Sequence, residues 1–178
     1  WGYLVGDQSS GAYLGRRLLQ ECLLAHDGIR GQTALSASIM ESHGGAPANI
    51  VAFAQSSTPA DCARLAPFVF SAAVERDDVA VDLVTQGATY LSQAILELGW
   101  QAQEPICLLG GVGPRYRAWL PKQMADAVVD AQGTSLDGAL LIASGGGTMT
   151  DVASYLQPSD WLREDAGPLY VQLRRRIE

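Results

Sequence analysis

Apolar residues recur along much of this chain at intervals of three and four positions, which is the spacing of one face of an α-helix. Thr58 precedes Pro59 in the order that starts a helix, and Gly99 stands where a long apolar pattern stops. Caps and glycine stops of this kind divide the pattern into five predicted helices: 10–26, 34–43, 58–75, 77–98 and 115–130. The sequence therefore predicts a chain that is rich in helix.

Two short runs depart from the helical period. Residues 1–6 open the chain with a strand-like pattern, and residues 105–109 form a continuously apolar run, so each is predicted to be a strand. A run without polar alternation suits a strand that is buried on both faces of a sheet. Residues 50–54 could be a strand or a helical turn, and residues 135–143 a helix or a strand. Helices that alternate with buried strands indicate the α/β class.

Composition narrows the classes of function. The chain has 178 residues, 48% of them hydrophobic, and a net charge of -7, which argues against a non-specific nucleic-acid surface. It carries no apolar run of membrane-spanning length and no signal peptide, so we expect no membrane partner. The three cysteines, Cys22, Cys62 and Cys107, are widely spaced, which disfavours a disulfide framework and a metal site and favours a cytoplasmic location.

The composition changes at residues 144–148, where Ser-Gly-Gly-Gly-Thr is typical of a flexible linker. We therefore predict one α/β domain, residues 1–143, followed by a tail, residues 144–178. Met149 is like a former start codon, and residues 167–177 resemble the opening of the winged-helix domain of GntR-type regulators. Because only about one helix of such a domain is present, we expect no nucleic-acid binding by this chain. The absence of an initiator Met leads us to expect a truncated chain.

A carboxylate stands at the start of the first predicted helix. Asp7 follows the predicted strand 1–6 and precedes a segment rich in Ser and Gly. In that position it could accept hydrogen bonds from sugar hydroxyls, beside the exposed amides of the helix. The alternative is that Asp7 simply caps the helix.

A glycine-rich turn follows the predicted strand 105–109. In Gly110-Gly111-Val112-Gly113 the glycines would allow a base or ribose to approach the backbone, and the amides of the next helix could contact a phosphate. The spacing is not the Gly-x-Gly-x-x-Gly of a dinucleotide site. A structural turn without a ligand is the alternative.

Together these motifs resemble, in the same order, those of the BadF/BadG/BcrA/BcrD ATPase family, of the N-acetylglucosamine and glucosamine kinase type, in the sugar kinase and actin superfamily. The signature is Trp-Gly-x-x-x-Gly-Asp-x-x-Ser, although Gln8 and Ser9 replace the Glu and Gly that usually follow the Asp. The resemblance covers residues 1–143. It implies a ribonuclease H-like (actin-like ATPase) C-terminal lobe, with a mixed sheet flanked by helices.

The resemblance also implies roles for particular residues. The sugar-binding candidates are Trp1, Gly2 and Asp7. The candidates for binding ATP are Gly110, Gly111, Val112, Ala63 and Gly138. In the family the phosphate hairpin and the catalytic Asp precede the Trp-Gly strand, so we expect no catalytic residue in this chain. ATP and Mg are the implied cofactors, and an amino sugar, a missing N-terminal lobe and a second copy in a homodimer are the implied partners.

Two other functions remain open. A BadF/BadG-type ATPase could use the same nucleotide lobe to drive electron transfer, but such proteins carry clustered cysteines for an iron–sulfur centre, and the three cysteines here are dispersed. A sugar-sensing transcription regulator could combine a kinase-like lobe with the predicted winged helix.

Overall fold

The computed structural model describes residues 2–143, so Trp1 and the predicted linker and GntR-like tail, 144–178, lie outside the described residues. The α-helices are α1 Gly11–His26, α2 Ala34–Ser42, α3 Pro47–Ser56, α4 Pro59–Ala63, α5 Ala66–Val74, α6 Asp78–Glu97, α7 Lys122–Ala127 and α8 Ser135–Ala143. A 3-10 helix covers Gly113–Trp119, and the strands are β1 Ile106–Cys107 and β2 Val128–Val129. This helix-rich chain with a small parallel sheet is consistent with the α/β class.

The predictions of α1, α2 and α6 are confirmed, and side-chain caps explain where they begin. Ser10, Thr33 and Asp77 each accept a hydrogen bond from a backbone N–H in the first turn of the helix that follows. At the other end of α6, Gly99 has φ +85°, a conformation that a glycine adopts without strain. Two segments were predicted as either strand or helix. Residues 50–54 lie in the helix α3, and residues 135–143 form the helix α8.

The predicted helices 58–75 and 115–130 are wrong because each is interrupted near a proline. The first is divided into α4 and α5, and Pro67 lies in the first turn of α5. Proline is tolerated there because the N–H groups of the first turn have no partner within the helix. The second is divided into the 3-10 helix, α7 and β2, with Pro121 at the position that precedes α7. A proline ends the preceding helix and begins the next one.

The predicted strand 1–6 is also wrong. Residues 3–5 form a turn, in which the Val5 and Gly6 amides donate to the Gly2 carbonyl at 3.3 and 2.8 Å. A strand requires a neighbour to pair with its backbone groups, and the described residues supply none beside this segment. The segment satisfies those groups locally instead.

The predicted strand 105–109 is present but shorter. β1 pairs with β2 in parallel, with Ile106 opposite Val128 and Cys107 opposite Val129. Ile106 is buried whereas Cys107 is exposed, so the expected burial on both faces is not observed. Ile106 packs with Leu120 and Met124, which covers one side of the strand pair.

The main core lies among α1, α5 and α6. Its buried apolar side chains include Leu14, Leu18, Leu19 and Cys22 from α1, Val69, Phe70 and Ala73 from α5, and Val79, Ala80, Leu83, Val84 and Ala88 from α6. Tyr116 of the 3-10 helix enters the same core, with its ring edge-to-face against Phe70 at 5.1 Å between centroids. The core thereby holds the start of α1, the middle of α6 and the segment after β1 in fixed relative positions.

A buried carboxylate secures the loop after α1. Glu21 is 2% exposed, and its two oxygens lie 3.0 Å from Arg17 Nη2 and 3.0 Å from Arg30 Nε. Arg30 also donates to Asp82 Oδ2 at 3.0 Å. This network joins the loop to both α1 and α6, and the two arginines neutralise the buried charge of Glu21.

Candidate functional site

The polar motif before α1 and the glycine-rich motif after β1 lie on the same cleft. Its volume is about 660 Å³, and its lining consists of residues 7, 9–11, 90, 91, 95, 106–113 and 116. Three pieces of chain therefore meet there: the entry to α1, one face of α6 and the loop after β1. Another cavity, of about 560 Å³, lies between α2 and α5 and contains none of the residues predicted to bind a ligand.

Asp7 lies on this cleft in an exposed position. Ser10, not Asp7, caps α1, since Ser10 Oγ accepts from the Tyr13 amide at 3.1 Å. Among the described residues the Asp7 carboxylate has no hydrogen-bond or ion-pair partner, and its backbone φ of +61° is rare for a residue with a side chain. Such outliers concentrate at functional sites. Asp7 is therefore not the cap of α1, and its carboxylate is exposed on the cleft.

An aromatic and cationic cluster anchors the turn that leads to Asp7. Tyr3 Oη donates to Cys62 Sγ at 3.3 Å, and the Arg16 guanidinium lies 5.2 Å from the Tyr3 ring centroid and 5.6 Å from that of Tyr13. The hydrogen bond to Cys62, and then partial burial, raise the pKa of Tyr3 above its usual value. Cation–π contacts of this kind stabilise a surface segment. The turn before Asp7 is therefore held against α1 and α4.

The loop after β1 uses its glycines in different ways. Gly110 has φ +82°, which a residue with a β-carbon rarely adopts. At Gly113 an added β-carbon would meet the Leu108 carbonyl carbon at 3.0 Å, so the loop folds closely back on itself. At Gly111 an added β-carbon would meet no atom within 4 Å, so packing does not require a glycine there. The missing side chain leaves open space on the cleft.

The structure brings together four of the predicted site residues and separates the rest. Asp7, Gly110, Gly111 and Val112 all line the cleft. Ala63 lies one layer behind, since a β-carbon on Gly11 would be 3.4 Å from both Ala63 Cβ and Val112 Cγ1.

Gly2 and Gly138 are exposed and are not among the lining residues. Gly138 lies in α8, and Gly2 lies in the turn before Asp7. Trp1 lies outside the described residues.

The wall formed by α6 was not predicted. Tyr90, Leu91 and Ile95 face the cleft from the last turns of that helix. In the sequence they continue the apolar pattern of a core helix, and periodicity does not distinguish a side chain that faces a core from one that faces a cleft. Their only signal is their position shortly before the glycine-rich turn.

The cleft is weakly charged. Asp7 is the single charged side chain among its described lining residues, so none of them is Lys or Arg. Residues 2–143 also contain no cluster of three or more His, Cys, Asp or Glu side chains that could hold a metal ion. The cleft can accept hydrogen bonds from a polar ligand, but its own side chains do not neutralise phosphate groups.

Within residues 2–143, none of the helices combines the length and the apolar character needed to cross a lipid bilayer.

No family model matches the chain, but comparison with known proteins finds similar chains, among them the following two. Glucosamine kinase GspK of Vibrio cholerae is 34% identical over 139 residues, which are 78% of this chain and 47% of GspK. A crystal structure from Chromobacterium violaceum, of a protein assigned as an N-acetylglucosamine kinase, matches with a TM-score of 0.71 and 39% identity over 79% of this chain and 49% of that one. The chain thus spans about half the length of these relatives.

Both relatives carry the name of an amino-sugar kinase, and the matches cover nearly the same share of the chain, 78% and 79%. The resemblance seen in the motifs is therefore confirmed: over most of its length the chain is similar to proteins named as amino-sugar kinases.

Proposed function

We propose that this chain is the C-terminal lobe of an ATP-dependent amino-sugar kinase, and that its cleft holds part of the sugar beside the nucleotide. One observation carries the proposal. Asp7, from the motif that resembles a sugar site, and residues 110–112, from the motif that resembles an adenosine site, line one cleft of about 660 Å³. The names of the two relatives support glucosamine or N-acetylglucosamine as the substrate.

The active enzyme requires a second lobe. The chain spans 47% and 49% of the two relatives, and ATP is an anion for which the described cleft lining offers no cation. We propose that the other half supplies the phosphate hairpin, the catalytic carboxylate and the remaining strands of a ribonuclease H-like mixed sheet. We call this chain together with its proposed other half the two-lobed protein.

The chemistry follows from these positions. A sugar hydroxyl oxygen attacks the γ-phosphorus, the bond from that phosphorus to the bridging oxygen breaks, and ADP leaves. Asp7 accepts hydrogen bonds from other hydroxyls of the sugar and so orients the attacking one. The loop at Gly110 and Gly111 lets the nucleoside lie against the backbone. The base that removes the hydroxyl proton belongs to the other lobe.

Magnesium, when bound together with ATP, would neutralise charge on the phosphates. Proteins hold such an ion with one or two carboxylates together with phosphate oxygens and water. The described cleft lining offers the carboxylate of Asp7 alone, which the proposal assigns to the sugar. The residues present therefore do not form a magnesium site by themselves.

The cysteines favour a kinase over an electron-transfer ATPase. Cys22 and Cys62 are buried and Cys107 is exposed. An iron–sulfur cluster requires several thiolates that converge on it. Free thiols and the use of ATP suit the cytoplasm. The homodimer remains a prediction, and the transcription-regulator hypothesis depends on residues outside the described part of the chain.

The test is release of ADP by the two-lobed protein in the presence of Mg and ATP. Glucosamine, N-acetylglucosamine and glucose are supplied in turn, and we expect one amino sugar to raise the rate well above that without sugar. ATP turnover that is equal with and without sugar would replace the kinase by an ATPase. The same result would remove Trp1, Gly2 and Asp7 from the sugar site.

A matched pair of variants locates the sugar. Asp7→Asn keeps the size of the side chain and removes its charge, so we expect the KM for the sugar to rise by about tenfold or more, as for loss of a charge-assisted hydrogen bond. Asp130→Asn changes an exposed carboxylate that does not line the cleft, and we expect no change in KM. Equal effects of the two variants would contradict a sugar contact at Asp7.

A further inference from the structure

The α6 side of the cleft is apolar. Tyr90, Leu91 and Ile95 face it from the helix, and the Tyr90 side chain is exposed enough to be reached, at 40%. The apolar side chains of Leu108 and Leu109, from the loop after β1, continue the same wall. A flat apolar ring system could pack against this side. The polar groups proposed to face the sugar lie on the segment that enters α1.

Few side chains on this wall can read the edge of a base. Apart from Tyr90 Oη and the Cys107 thiol, the described lining residues of α6 and β1 carry no polar side-chain group. The Tyr116 hydroxyl is buried against Gly87 and has no hydrogen-bond partner among the described residues. Asp7, Ser9 and Ser10 line the cleft from a different segment, the entry to α1. Discrimination between bases would depend almost entirely on the backbone.

Such a wall binds bases without selecting strongly among them. A site built to hydrogen-bond a substrate group rejects an analogue by about 10⁴- to 10⁵-fold, whereas an apolar pocket discriminates by only about 10- to 200-fold. Stacking on an aromatic side chain tolerates any base, because every base has a π-face.

We propose that Tyr90 stacks on the base of the phosphate donor, and that the enzyme therefore accepts purine nucleoside triphosphates with little regard to the base. This inference rests on the proposed function, because it assigns the donor half of the same cleft. It makes Tyr90 a binding residue that acts through its ring, with its hydroxyl playing no part in recognition.

The first experiment compares phosphate donors. The two-lobed protein is given glucosamine, or whichever amino sugar it prefers, with ATP, GTP or ITP, which differ at the edge of the purine. We expect the three values of kcat/KM to agree within about 200-fold, as an apolar site requires. A preference for ATP over GTP or ITP of more than about 200-fold overturns the inference.

The second experiment tests the ring. We expect Tyr90→Ala to raise the KM for each donor by a similar factor, between about 5-fold and 150-fold, with a smaller change in kcat, because a stacked base loses its partner. Tyr90→Phe retains the ring and should leave both KM and the ratio of GTP to ATP within about threefold of the original, since the lost hydroxyl makes no contact with the base. Leu96→Ala is the matched control, because Leu96 is an exposed residue of α6 that does not line the cleft.

The outcomes separate the two proposals. No change in donor KM for Tyr90→Ala, or a shift of more than tenfold in the donor ratio for Tyr90→Phe, overturns the inference and leaves the kinase in place. Absence of sugar-dependent turnover with every donor overturns the proposed function and the inference with it. If Tyr90→Ala fails to fold by circular dichroism, Tyr90→Leu replaces it, because Leu keeps the apolar contact and lacks the ring, and the same increase in KM is expected.

Discussion

Tyr116, which lines the cleft, packs closely against Gly87 of α6. The Tyr116 hydroxyl lies where a β-carbon of residue 87 would be placed, and it has no hydrogen-bond partner among the described residues. Burial raises the pKa of this hydroxyl, so it stays protonated. Because Tyr116 also lines the cleft, the absence of a side chain at Gly87 decides how deeply the 3-10 helix can pack on α6.

Gly87→Ala is therefore expected to destabilise the fold by about 1–3 kcal/mol, as an overpacked core does. Adding Tyr116→Phe should recover part of that loss, since it removes the hydroxyl that the new methyl group meets. Chemical denaturation of the single and double variants measures both effects.

Gly138→Ala serves as the control for backbone propensity. Its added β-carbon would meet no atom within 4 Å, and in a helix alanine is favoured over glycine by about 1 kcal/mol. A similar loss for Gly87→Ala and Gly138→Ala, or no recovery in the double variant, would contradict the contact with Tyr116.

At the scale of secondary-structure elements, the Asp77 side chain links the helices α2 and α6. Its Oδ1 accepts from the Ala80 amide at 3.1 Å and caps α6, while its Oδ2 accepts from the Leu35 amide at 3.0 Å in the first turn of α2. One carboxylate thus satisfies backbone donors of both helices. The relative placement of α2 and α6 depends on this side chain.

We expect Asp77→Ala to lower the free energy of unfolding by about 2 kcal/mol, because a charged cap and a second charge-assisted hydrogen bond are lost. Thermal and urea unfolding measure the change. The adjacent Asp78→Ala is the control, since Asp78 is exposed and contributes only its favourable charge near the start of α6, about 0.5 kcal/mol. Equal losses for the two variants would rule out a double cap.

At the scale of the whole molecule, the described surface has exposed apolar side chains near the cleft. Leu4 and Val5 are 80% and 75% exposed beside the turn that leads to Asp7, and the cleft lining contains no cation. Large exposed apolar side chains near a site favour an interaction surface. In the proposed two-lobed protein the second lobe supplies both the cover and the phosphate-binding groups.

The 178-residue chain alone is therefore expected to show no sugar-dependent release of ADP under conditions in which the two-lobed protein is active. The reason is that the described cleft lining offers no cation to neutralise the phosphates, and the proposal assigns the base that removes the hydroxyl proton to the other lobe. A coupled assay for ADP with both proteins at equal concentration measures the difference. Sugar phosphorylation by the purified chain would contradict the assignment of catalysis to the other lobe.

The bounds of α1, α2 and α6 could be predicted because a cap and a stop are local features of the sequence. The breaks at Pro67 and Pro121 are also local features and could have been predicted. The prediction was wrong because the apolar spacing continues through each proline, although proline lacks the N–H that a continuous helix needs. Whether residues 1–6 form a strand could not be decided from their own sequence, because a strand needs a partner strand from elsewhere in the chain.

The sequence by itself determined the resemblance to amino-sugar kinases and the residue types of the candidate site. Asp7 and residues 110–112 stand in motifs that resemble the sugar and adenosine motifs of that kinase type. Only the tertiary structure decided that these motifs share one cleft, that Tyr90 forms its other wall, and that Gly138 lies elsewhere. The physical reason is that motifs and caps act through neighbours in sequence, whereas a cleft is made by side chains far apart in sequence that meet only when the core has packed.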